Sequence, residues 1–144
     1  MAINTQKVVV GGVAASVVNL ALGYVVFNML LAGRMNAEID AVIPGGSAKM
    51  MAGTANMVIG MGGQVLIGFM LAWLYAAMRP RFGPGMKTAA YAGLVLWVAG
   101  LVFYSGWYSV GAMTGATYLM ASCASLVINI AAGAVAGMLY KEEG

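Results

Sequence analysis

The chain has 144 residues, of which 62% are hydrophobic and only 8% charged, whereas a soluble domain is about a quarter charged. A chain this short cannot hide so much apolar surface in one aqueous fold, because small domains leave much of their surface wet, so lipid is the expected solvent. The formal charge of +3 rests on a few charges at the ends of apolar runs, which suits anionic headgroups and excludes the broad basic face of a nucleic-acid binder.

Lys7 precedes the first apolar run, about residues 8–31. That run is long enough to cross a membrane and continues past any cleavage-like site, so it reads as a retained helix and not as a signal peptide. Further runs cover about 50–78, 88–110 and 113–140. Each reaches the roughly 20 residues that cross a ~30 Å hydrocarbon core, and none carries an interior charge. Helices are expected, because each backbone group must be satisfied within its own segment. Barrel strands would be about 10 residues long with strict alternation, a pattern the chain lacks. The expected fold is therefore all-α, a single domain forming a four-transmembrane-helix bundle.

Between the first two runs lies the one sizeable polar connection, Gly33 to Lys49. Met35, Ile39 and Val42 fall at i, i+4 and i+7 on one helical face. Two readings stay open there: a short interfacial helix stopped by Pro44-Gly45-Gly46, or an irregular connector. The second run is too long for an untilted crossing and must tilt, project or bend. Gly60, Gly62 and Gly63 offer a place to bend. After it comes Arg79-Pro80-Arg81-Phe82-Gly83-Pro84-Gly85-Met86-Lys87, the only dense basic cluster. Its prolines and glycines are expected to break the helix, and Arg79, Arg81 and Lys87 to meet lipid headgroups.

Four crossings put both termini and this loop on one side. Lys7, Arg79, Arg81, Lys87 and Lys141 stand there against Arg34 and Lys49 on the other, so both termini are expected in the cytoplasm. Phe103, Tyr104, Trp107 and Tyr108 at one end, with Trp73, Tyr75 and Tyr140 at the other, read as interfacial aromatic belts. Trp97 falls near the bilayer centre, where its indole N–H needs a partner; an ordinary contact with the first or second segment is expected, the alternative being a neighbouring chain, a pigment or a lipid tail.

The run Trp73-Leu74-Tyr75-Ala76-Ala77-Met78-Arg79-Pro80-Arg81-Phe82-Gly83-Pro84-Gly85, with Lys87-Thr88-Ala89 after it, resembles a family of small bacterial four-helix inner-membrane proteins without an assigned activity. Lys7-Val8-Val9-Val10-Gly11-Gly12 and Ala136-Gly137-Met138-Leu139-Tyr140-Lys141-Glu142 are similar as well. The resemblance implies a bacterial inner-membrane setting and supplies no mechanism. The first helix of such proteins often carries Glu after its Asn; here Leu20 follows Asn19.

Histidine is absent, which removes the commonest general base and haem ligand. Glu38 and Asp40 are two apart and would not share a helix face. Cys123 has no His, Lys or Arg beside it in sequence to activate it. The 13 Met residues are scattered and read as packing. No catalytic set, metal site or cofactor is expected. What remains is uncharged polarity inside the apolar runs: Asn19, Asn56, Gln64, Ser125 and Asn129, with Ser122. An i+4 stripe of Ala52, Asn56, Gly60, Gln64, Gly68, Ala72 and Ala76 runs along the second segment. A shorter one joins Gly12, Ser16, Asn19 and Gly23, and Gly133 and Gly137 form a Gly-x-x-x-Gly pair. Such stripes let helix backbones approach, with amides as glue between them.

The leading expectation is a non-catalytic membrane protein that acts by association, an accessory or assembly subunit of a larger inner-membrane complex or a small homo-oligomer. The alternative is a small transporter or channel with a midplane polar site beside Gln64.

Overall fold

The computed structural model describes residues 3–140. The described chain is helical with no strands, and four helices are long and apolar enough to cross a membrane. The first runs from Thr5 to Leu30. It comprises α1, Thr5–Gly23, and a π-helical continuation, Tyr24–Leu30, closed by the i→i+5 bond from Leu31 N to Val26 O at 2.9 Å. The others are α4, Thr54–Phe82, α5, Met86–Ser109, and α6, Gly115–Leu139.

The polar connection is helical. Helix α2, Ala32–Val42, ends before Pro44, and α3, Gly46–Met51, follows Gly45, whose φ of +69° turns the chain. Of the predicted apolar face, Ile39 is buried, Met35 half-buried and Val42 exposed. A second sharp turn at Gly53, φ +89°, separates α3 from α4. The second run therefore starts later and ends later than the expected 50–78.

One expectation about α4 needs correction. The helix is continuous across Gly60, Gly62 and Gly63, but Pro80 does not stop it, since the helix continues to Phe82. Pro80 lies in the last turn, where a missing N–H costs one bond near an end that frays in any case. The stop is Gly83, φ +80°, whose N–H closes on Arg79 O at 2.9 Å.

The long helices form an up-and-down ring. Helix α1 packs between α4 and α6, and α5 packs chiefly on α6. One end gathers the basic loop with both described termini: Asn4 N donates to Tyr140 Oη at 3.0 Å, and Gly85 N donates to Tyr75 Oη at 3.0 Å. Tyr75 and Tyr140 meet edge-on at 5.9 Å, both 2% exposed. They are core residues that fasten the basic end, not members of an aromatic belt; Trp73, 53% exposed, faces outward. Lys141, counted with this end in the charge argument, lies outside the described residues.

Small residues set the helix spacing in the basic half. Ser16 Oγ donates to Gly12 O at 2.7 Å within α1 and to Val65 O at 2.9 Å across to α4. A Cβ added at Gly68 would lie 2.6 Å from Ser16 Cα. One at Gly93 would meet Asn129 O at 3.0 Å, and one at Gly133 would meet Ala89 O at 3.0 Å. Backbone therefore lies almost on backbone at the α1–α4 and α5–α6 seams, the packing small residues permit. Toward the other end the bundle loosens. From Thr54 to Gly63 every residue of α4 is exposed, so only the Gln64–Ala76 half of the predicted stripe is a seam.

Candidate functional site

Where α4 leaves its neighbours, a cavity of about 580 Å³ opens between the four long helices. Its volume falls within the roughly 300–1,000 Å³ of ordinary ligand pockets. Four of the five polar residues singled out in the sequence line it: Asn19, Gln64, Ser125 and Asn129. The fifth, Asn56, does not. Its amide donates to Lys49 O at 3.1 Å and Ala52 O at 2.8 Å, and so ties α3 to the start of α4.

The amides are held unequally. Asn19, 3% exposed, donates to Gln64 Oε1 at 2.8 Å and to Gln64 O at 3.2 Å. This fixes the Gln64 carboxamide with its oxygen toward α1 and leaves Nε2 as a donor. Ser125 Oγ donates to Ser122 O at 2.9 Å. Asn129 is only 8% exposed, and its side chain makes no hydrogen bond among the described residues, which leaves its carboxamide available in the cavity it lines. The rest of the wall is mainly apolar, with Phe27, Ile67, Leu96 and Phe103 among its residues. Phe27 is brought there by the π-helical turns and lies 6.3 Å from the Tyr104 ring. No Asp, Glu, Lys or Arg lines the cavity.

Trp97 resolves in a way the sequence reading did not anticipate. Its Nε1 donates to Ser122 O at 2.9 Å, so its partner is the fourth long helix and not the first or second.

A polar cluster at the far end was missed by sequence reasoning. Glu38 on α2 reaches the start of α6, where its Oε2 accepts from Thr114 N at 2.9 Å. Its Oε1 accepts from Thr114 Oγ1 at 2.8 Å, Thr117 Oγ1 at 2.6 Å and Arg34 Nε at 3.2 Å. Arg34 Nε also donates to Thr117 Oγ1 at 2.7 Å. Burial pushes the Glu38 carboxyl up, but the bonds from Thr117, Thr114 and Arg34 outweigh it and hold the group at about 2, below an ordinary 4.5. Asp40 turns the other way. It accepts from Ser47 Oγ at 2.7 Å and Ser47 N at 2.9 Å, and these bonds lower its pKa. The two carboxylates, expected on different faces, pin different helices.

Among the described residues no His, Cys, Asp and Glu group has metal-holding geometry, and Cys123 is exposed on α6. Arg79 lies against the Tyr140 ring, 5.7 Å from its centroid, and Lys87 lies 5.9 Å from that of Tyr91; Arg81 is exposed. Comparison with family models, with curated proteins and with solved structures finds no match for this chain.

Proposed function

We propose that this chain is a non-catalytic integral membrane protein of the bacterial inner membrane that works by association, as an accessory or assembly subunit of a larger complex or as a small homo-oligomer. The observation that carries this reading is the exposed run of α4. Thr54 to Gly63 are exposed on every face, and added Cβ atoms at Gly60, Gly62 and Gly63 would meet nothing within 4 Å. Small residues in a lipid-dissolved helix serve close approach of a second helix, and within this bundle no helix makes that approach. The resemblance carried by Trp73 to Gly85 supports the same setting. The Lys/Arg balance supports cytoplasmic termini. Reporter fusions after Arg81 should read cytoplasmic and fusions after Asp40 external; the reverse pair of signals overturns that orientation.

The association reading is tested by gentle solubilisation, cross-linking and mass spectrometry of wild-type and Gly62→Leu protein. Gly62 has open space around it and does not line the cavity, so the variant should fold, with slightly better helix propensity. It should lose at least about tenfold in recovered partner or self-association, a loss of ~1.4 kcal/mol. Wild-type protein that stays strictly monomeric and partner-free sinks the reading. One observation favours the transporter alternative: four of the five predicted polar residues share a cavity. Solute flux in proteoliposomes that disappears in Gln64→Ala, with the bundle intact, would replace association by transport.

A further inference from the structure

The cavity beside Gln64 has the character of a ligand site, and its chemistry narrows the ligand. No ionisable Asp, Glu, Lys or Arg lines it. A charged head would be stripped of water there with no counter-charge, a large penalty. The polar groups that do line it are the neutral amides and the hydroxyls of Ser125 and Tyr104. Asn19 spends its amide N–H groups on Gln64, which leaves Gln64 Nε2 as an unspent donor. Asn129, more than nine-tenths buried and lining the same space, contributes a second amide with no partner among the described residues. Unspent amide donors in a mainly apolar chamber match a carbonyl-bearing head. The chamber is also lined by Ile59, Gly60 and Gly63, which lie on the exposed stretch of α4. Ala99 and Phe103 of α5 are exposed and line the same chamber, which gives it a lateral way out between α4 and α5, and that path suits an apolar tail.

We propose that this cavity binds an uncharged, membrane-dissolved amphiphile with a carbonyl head, the head accepting hydrogen bonds from Gln64 and Asn129 and the tail leaving between α4 and α5. This goes beyond the association reading and stands apart from it. Two sources share the chemistry, quinones and acylglycerols, and the experiment separates them. Purified full-length chain in nanodiscs is titrated with a decyl-substituted benzoquinone and, separately, with dioctanoylglycerol. Saturable binding near one per chain is expected for one of them.

Asn129→Leu should weaken that binding about tenfold, the loss of one well-made hydrogen bond. Thermal stability should not fall, because the amide makes no bond within the bundle. Gly100→Leu should abolish binding while the fold persists: an added Cβ there meets nothing within 4 Å, yet the residue lines the cavity. The proposal is overturned if neither probe saturates, if both variants bind like wild type, or if Asn129→Leu loses stability along with affinity. Loss of a protein partner in Gly100→Leu, with no probe bound by wild type, also overturns it while leaving the association reading standing. Loss of partner only in Gly62→Leu bears on association alone.

Discussion

Gly68→Leu is expected to separate α1 from α4 and to destabilise the bundle by about 3 kcal/mol or more, the upper range for overpacking. Overpacking is usually relieved when flexible side chains move. Here the obstruction is Ser16 N and Cα, which belong to the backbone of a helix. The same displacement would break the bond from Ser16 Oγ to Val65 O and pull Asn19 off Gln64. Interhelical hydrogen bonds in lipid contribute about 0.6–2 kcal/mol each, so the losses compound. Unfolding in graded mixtures of denaturing and mild detergent measures the effect. Gly62→Leu, the same chemical change on the same helix with open space around it, is the control and should unfold like wild type. If the two variants unfold together, close backbone approach is not what holds α1 to α4.

Glu38→Leu should cost on the order of 2 kcal/mol, the scale for removing hydrogen bonds to a charged group. It would leave the first turn of α6 without its acceptor and Arg34 without its carboxylate. The carboxylate also sits at the positive end of the α6 dipole, where negative charge is favourable. Its folded pKa lies below its unfolded value, about 2 against 4.5. A depressed acid stabilises the fold fully above the higher value, and the contribution is lost as pH falls toward the lower one. Wild-type stability should therefore decline from about pH 4.5 downward, and Glu38→Leu should show less of that decline. Asp40, also depressed, keeps a residual slope in both proteins. Parallel pH profiles for wild type and variant would exclude Glu38 as the latch.

The fold was legible because lipid as solvent leaves the backbone few options. Four uncharged apolar runs of bilayer length have one all-α solution, and the four long helices follow it. Their ends were less legible. Pro80 reads as a breaker until its position in the last turn is known, and Gly53 and Gly83 bound α4 at its two ends through positive φ, which composition does not reveal. The candidate site was half legible. Asn19, Gln64, Ser125 and Asn129 stand out as amides and a hydroxyl in apolar runs, but their shared cavity depends on α4 diverging from the bundle. Nothing in the regular stripe from Ala52 to Ala76 distinguishes its packed half from its exposed half. The Glu38 latch joins residues far apart in the chain. One signal was available: Thr114 precedes an apolar run as an N-cap, and Glu38 and Asp40 are the only acids at that end.

The loosening of the bundle from one end to the other divides its glycines into two populations under mutational drift. At Gly12, Gly68 and Gly137 an added methyl collides with a neighbour, and at Gly11, Gly93 and Gly133 it presses on backbone. A replacement at any of these positions must displace a neighbour. At Gly60, Gly62, Gly63, Gly100 and Gly106 the same methyl enters free space. Substitutions there pass without harm to the fold, so the loose half can acquire and lose surfaces while the tight half stays as it is. Descendants of such a chain would keep one scaffold and diverge in what they hold.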